Sequence, residues 1–115
     1  MTVERDERPG EIAAAMLDAG IKSVVVVDDD ERPVGILTST DYVAMTAVGV
    51  DPYDTTVEEH MTRDIVTATG AESLAAVAAR MREYDIAHLP VVDEADHVIG
   101  IVSSTDLTAH LADGE

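Results

Sequence analysis

Thr38-Ser39-Thr40-Asp41 and Ser103-Ser104-Thr105-Asp106 each place hydroxyls and a carboxylate directly after an apolar run. At a strand-to-helix junction the free backbone N–H groups favour an anion. A carboxylate in the first helical turn can accept hydrogen bonds from two vicinal hydroxyls, and a Thr or Ser hydroxyl can donate to a phosphate. The same spacing is also a capping box, with Asp41 and Asp106 bonding back to the residue that starts the helix. Residue types and spacing alone leave both roles open.

The two steps close two copies of one unit. Gly35-Ile36-Leu37-Thr38-Ser39-Thr40-Asp41 returns as Gly100-Ile101-Val102-Ser103-Ser104-Thr105-Asp106, sixty-five positions later. The register holds upstream: Met16 falls on Met81, Ile21 on Ile86, and Val26-Val27-Asp28 on Val91-Val92-Asp93. An internal repeat of this size sets the architecture, here a mixed α/β chain with pseudo-twofold symmetry and two related clefts. Such a layout points to ligand binding rather than to chemistry.

Each copy reads as helix, strand, tight turn, strand, helix. In the first, Ile12, Met16 and the neighbouring alanines form an apolar helical stripe over 11–19, with Gly20 as its stop. Val24 to Val27 is a buried strand, 28–33 a polar turn, 34–37 the returning strand, and a second helix runs from near Thr40 to about Val48. In the second copy Leu74, Val77, Ala78 and Met81 make the stripe, preceded by Thr69-x-x-Glu72 as a capping box. Strands follow at 89–92 and 98–102, with Pro90 expected at an edge or strand start, and a closing helix begins near Asp106. Ile65-Val66-Thr67 reads as an extra opening strand for copy two. Copy one has no room for its equivalent, which by the same offset would begin before Met1, so its opening strand is expected to be short or missing, through clipping or by nature. The expected divisions are 1–48 for the first repeat, 49–61 for a linker and 62–115 for the second.

Composition narrows the partners. Twenty-four acidic residues against seven basic give a formal charge of −17, which opposes nucleic acid and anionic membranes. Aromatics are 3% with no Phe or Trp, so no aromatic stacking platform exists, while 46% hydrophobic content supports an ordinary core. Lys22 is the only lysine. An acid-rich, lysine-poor chain with normal hydrophobicity fits a high-salt cytoplasm. Self-repulsion should therefore make the melting temperature rise markedly between about 0.1 M and 1 M KCl, where the Debye length falls from roughly 10 Å to 3 Å. A salt-independent melt would reject both the repulsion and the high-salt origin.

No apolar run approaches the roughly 20 residues that span a bilayer, the first residues lack a signal-peptide core, and cysteine is absent. A soluble cytoplasmic protein is expected. Asp28-Asp29-Asp30-Glu31 lacks the glycine of an EF-hand loop and reads as a solvated hairpin turn. His60, His88, His97 and His110 are too scattered for a zinc pattern, no G-x-S-x-G elbow is present, and Met16, Met45, Met61 and Met81 read as core fillers. No metal, cofactor or catalytic group is expected.

Ile86-x-x-Leu89-Pro90-Val91-Val92-Asp93 followed by Val98-Ile99-Gly100-Ile101-Val102-Ser103-x-x-Asp106-Leu107 resembles the cystathionine-β-synthase (CBS) domain. Copy one matches through Ile21-x-x-Val24-x-Val26-Val27-Asp28 and Val34-Gly35-Ile36-Leu37-Thr38-x-x-Asp41. Two copies in register are similar to a CBS pair, or Bateman module, of the small stand-alone kind found in halophilic archaea. The resemblance implies tandem β-α-β-β-α repeats about a pseudo-twofold axis, frequent homodimerisation, and adenosine-containing ligands (AMP, ADP, ATP or S-adenosylmethionine) in clefts between the repeats. It groups Asp41 and Thr38 with Thr67 and the Lys22-Ser23 pair. It groups Asp106 and Ser103 with His88, where Ala87 stands in place of the cationic Lys22, so the Asp41 cleft is expected to bind more tightly. The implied role is a non-catalytic regulator of an unknown partner protein. A structural dimerisation module, in which both aspartates only cap helices, is the alternative. A small enzyme is disfavoured by the missing motifs.

Overall fold

A computed structural model describes residues 1–105 and 107, and divides the chain into compact units at 1–65 and 66–115. In the first unit β1 (Thr2–Glu4) leads to α1 (Pro9–Ala19), β2 (Ser23–Val27), β3 (Pro33–Thr38) and α2 (Ser39–Ala47), followed by a short 3₁₀ turn at Val57–Glu59. The second repeats the plan with β4 (Ala68–Thr69), α3 (Leu74–Tyr84), β5 (His88–Val92) and β6 (Val98–Ser103). The closing helix expected from Asp106 lies largely outside the described residues.

Each sheet has three strands in order β1-β2-β3 or β4-β5-β6, with the first pair parallel and the second antiparallel. The registers obey the sixty-five-residue offset at every pair but one: Val3↔Val26 becomes Ala68↔Val91, and Ser23↔Thr38 becomes His88↔Ser103. Even the irregularity between Val26 and Val27 recurs between Val91 and Val92.

Local chemistry explains the element ends. Pro9 starts α1, where a missing N–H costs nothing. Gly20 ends it at φ 68°, while Ile21 N–H reaches the Met16 carbonyl at 3.0 Å. The hairpin after β2 is tied by Asp28, whose Oδ1 accepts from Asp30 N–H at 2.8 Å and Arg32 N–H at 3.0 Å. Asp93 repeats this with the N–H groups of Ala95 and His97, both at 2.9 Å. Bonds from the Arg32 and His97 backbones hold the Asp28 and Asp93 carboxyls below their ordinary pKa. The acidic run at 28–31 is thus a turn organised by its first carboxylate.

Val3, Ile12, Met16, Val24, Val26, Leu37 and Met45 form the first core, completed by Val57 and Met61. Residues 49–61 therefore contribute core to the first unit. The second core gathers Ala68, Val77, Met81, Leu89 and Leu107.

The opening strand of copy one is present and short: β1 has three residues, of which only Val3 is buried. Two expectations need correction. The opening strand of copy two lies at 68–69 and not at 65–67. Thr69-x-x-Glu72 does not start the helix: Ser73 is the N-cap, accepting from Ala76 N–H at 3.1 Å, while Glu72 accepts from Thr69 N–H at 2.9 Å in the preceding turn.

Pro90 also departs from its expected place, standing third in the central strand β5 and fully buried. Its counterpart Val25 donates its N–H across to the Met1 carbonyl at 3.4 Å, which secures the pairing of Thr2 with Val25. Proline has no such hydrogen, so the equivalent pairing of Thr67 with Pro90 is absent. The ladder begins one residue later, at Ala68, and β4 is shorter than β1 for that reason.

Candidate functional site

The first unit brings four of the expected residues to one end of its sheet. Ser23 opens β2 directly opposite Thr38, the last residue of β3. Ser39 N–H donates to the Lys22 carbonyl at 2.9 Å, tying the start of α2 to the residue before β2. Ser23 is buried, Thr38 and Asp41 are half-buried, and Lys22 is exposed.

Asp41 serves the helix start. Its Oδ2 accepts from Thr38 N–H at 2.8 Å and from the Thr38 hydroxyl at 3.2 Å. Both bonds fall on one oxygen; Oδ1 takes neither. Beside it stands Tyr42, which the sequence reading missed. The Tyr42 hydroxyl donates to the Pro9 carbonyl at 2.6 Å, linking α2 to the start of α1. Burial, and then the Asp41 charge, push its pKa up to about 12. Nothing in the spacing of Pro9 and Tyr42 signals that contact.

In the second unit His88 opens β5 opposite Ser103 at the end of β6, and Ser104 N–H donates to the Ala87 carbonyl at 2.9 Å. The junction therefore repeats that of the first unit. Asp106 lies outside the described residues. Thr67 sits just before β4, half-buried, with its carbonyl accepting from Arg80 Nη1 at 2.9 Å. The Arg80 guanidinium also pairs with the Glu72 carboxylate through both nitrogens. That pairing, with the Thr69 N–H next in weight, lowers the Glu72 pKa to about 2.

Two open concavities among the described residues lie elsewhere. One of about 420 Å³ sits beyond β1 and β2, between Glu4–Asp6 and Val27–Asp30, and its repeat-equivalent of about 590 Å³ sits between Thr69–Ala71 and Val92–Ala95. Five carboxylates surround the first, which would repel an anionic ligand. Neither is lined by an expected site residue. Among the described residues no group of three or more His, Asp or Glu could hold a metal ion, and no helix is long and apolar enough to cross a membrane.

Two β-α-β-β units, each ending in a hydroxyl-bearing step into a helix, define a tandem module of the CBS type. The CBS domain family matches residues 1–45 and 57–113, and the chain belongs to that family. In the crystal structure of the CBS domain pair of protein MJ0100, solved in complex with 5′-methylthioadenosine and S-adenosyl-L-methionine, the similar fold has a TM-score of 0.89. The identity is 32%, covering 100% of this chain and 90% of that one. A homoserine O-acetyltransferase of Methanosphaerula palustris is 35% identical over 102 residues, which are 89% of this chain and 20% of the relative. An L-aspartate semialdehyde sulfurtransferase of Methanocaldococcus jannaschii is 37% identical over 98 residues, 85% of this chain and 18% of the relative. The chain thus spans about a fifth of the length of these curated relatives.

Proposed function

We propose that this chain is a non-catalytic regulatory module that binds an adenosine-containing ligand, either an adenine nucleotide or S-adenosylmethionine. The observation carrying the reading is the β3–α2 junction, where Lys22, Ser23, Thr38 and Asp41 meet. In this reading Asp41 Oδ1 accepts from ribose hydroxyls, Ser23 donates to a phosphate or carboxylate, Thr38 does so by turning its hydroxyl away from Asp41, and Lys22 balances the ligand's charge. Thr67, and more weakly Asp106, Ser103 and His88, are further ligand residues in this reading, on the strength of the resemblance. The adenosyl ligands of the MJ0100 pair, at 32% identity, support the ligand class. Regulation requires that the ligand bind two states of the module, or of its homodimer, with different affinity. The acidic, lysine-poor surface supports operation in a high-salt cytoplasm.

The bonds that Asp41 makes to Thr38 favour a second reading, a structural dimerisation module whose aspartates are caps. A melting-shift screen of AMP, ADP, ATP, S-adenosylmethionine and 5′-methylthioadenosine in molar KCl separates the two. A ligand at about 100 times its Kd stabilises the native state by about 2.7 kcal/mol, a shift of several degrees. No shift with any of them at millimolar concentration would leave the structural reading. Both readings expect a dimeric mass by light scattering.

A further inference from the structure

We propose that Arg80 is a positioning residue for the adenosyl ligand, holding Thr67 in place where Pro90 leaves the sheet unable to do so. The inference rests on Thr67 being a ligand residue, as proposed above. Its own support is an asymmetry between two repeats that otherwise share one strand register.

In the first unit Thr2, the counterpart of Thr67, is held by the sheet itself. Val25 supplies the ladder N–H to Met1, and Thr2 pairs with Val25. The turn that follows is closed by Glu7, whose carboxylate accepts from Glu4 N–H at 2.5 Å. The residue on α1 that corresponds to Arg80 is Ala15, which can reach neither.

The second unit keeps the turn closure, Glu72 accepting from Thr69 N–H at 2.9 Å, but loses the ladder hydrogen at Pro90. Thr67 therefore has no partner in β5. At that point, and in that unit only, an arginine reaches up from the helix. Its Nη1 donates to the Thr67 carbonyl at 2.9 Å and to Glu72 Oε2 at 3.0 Å, while Nη2 pairs with Glu72 Oε1. A planar guanidinium held by a carboxylate has its remaining donor fixed in direction. The carbonyl of Thr67 is thus fixed to α3, which anchors a backbone that has no ladder partner at this point. Arg80 in this way anchors the start of this strand at Thr67, next to Val66, the counterpart of Met1; the Val66 carbonyl has no donor at Pro90.

The test measures amide hydrogen exchange at Ala68, where the ladder with β5 begins, together with calorimetric affinity for S-adenosylmethionine and ATP, in the full chain, for Arg80→Ala, Pro90→Val and the double variant. Arg80→Ala should speed exchange at Ala68 and weaken binding roughly 3- to 30-fold, the range for network residues that do not touch the ligand. Pro90→Val restores the ladder N–H and should recover both losses in the double variant, whereas independent sites would simply add. Arg80→Lys, which keeps the charge without the fork, should bind as weakly as Arg80→Ala; this variant decides the matter if the alanine does not fold. Unchanged exchange, or faster exchange with full affinity, overturns the positioning role. If the parent protein binds no adenosyl ligand, the function proposed above fails. Exchange and its rescue by Pro90→Val then still decide whether Arg80 holds the strand.

Discussion

Asp41→Ala is expected to lower affinity for the adenosyl ligand by about tenfold or more, because a charge-assisted hydrogen bond is worth roughly 1.5–3 kcal/mol. The same change removes the acceptor that ties Thr38 to α2, so the free protein should also lose about 1 kcal/mol of stability. The two consequences separate by measurement. A residue that only caps the helix would lower the melting temperature and leave the calorimetric Kd of the folded protein unchanged. Asp41→Asn sharpens the comparison, since it keeps an acceptor for Thr38 while removing the charge that ribose hydroxyls would meet. It should hold most of the stability and little of the affinity.

Tyr42 gives an independent reading of the same charge. Its pKa of about 12 reflects burial first and Asp41 second. Because the folded value lies above the ordinary value of 10, the unfolded chain ionises first. Stability is lost as pH rises from about 10 toward 12. Either substitution at Asp41 should move the Tyr42 titration downward without abolishing the shift, since burial remains. Full ligand affinity in both Asp41 variants, with the expected Tyr42 change, would assign Asp41 to the cap alone.

What the sequence revealed follows from how strongly each feature depends on local patterning. The Val24–Val27 run, the Ile12/Met16 and Val77/Met81 stripes and the Gly20 stop are set by period and by φ, and all lie where their residues direct. β1 was legible only as short or missing, because the offset sets its start before Met1 and one buried residue, Val3, flanked by Thr2 and Glu4, makes no apolar run. Ile65-Val66-Thr67 misled for the opposite reason: it is apolar enough for a strand, but pairing depends on a hydrogen that Pro90 lacks. The junction residues were legible through the repeat, since a shared offset of sixty-five places both steps at strand ends. Tyr42 and Arg80 were not legible. Each acts on a backbone carbonyl, Pro9 or Thr67, and a carbonyl leaves no mark in residue type.

Gly35 and Gly100 occupy identical places in the repeat, and substitution should treat them very differently. A Cβ at Gly35 would stand 2.6 Å from the Met61 sulfur, 2.9 Å from Met61 Cγ and 2.9 Å from the Thr62 carbonyl oxygen. Met61 could yield only by disturbing the core it completes. The Thr62 carbonyl cannot yield cheaply, because it accepts from Ile36 N–H at 3.0 Å while Thr62 N–H returns a bond to Ile36 at 2.9 Å. That bridge draws the chain after the 3₁₀ turn against β3, and only a residue without a side chain admits it. Gly35→Ala should therefore cost about 1–3 kcal/mol, the usual range for overpacking. Around Gly100 nothing lies within 4 Å of the added carbon, and its backbone has no positive φ. Alanine there should be neutral or stabilise by roughly 0.5–1 kcal/mol, through the smaller backbone entropy lost on folding. Denaturant unfolding of the two variants beside the parent measures both, and equal effects at the two sites would reject this account. If Gly35→Ala also weakens ligand binding more than Gly100→Ala, the displaced end of β3 is the route, since Thr38 lies three residues along the same strand.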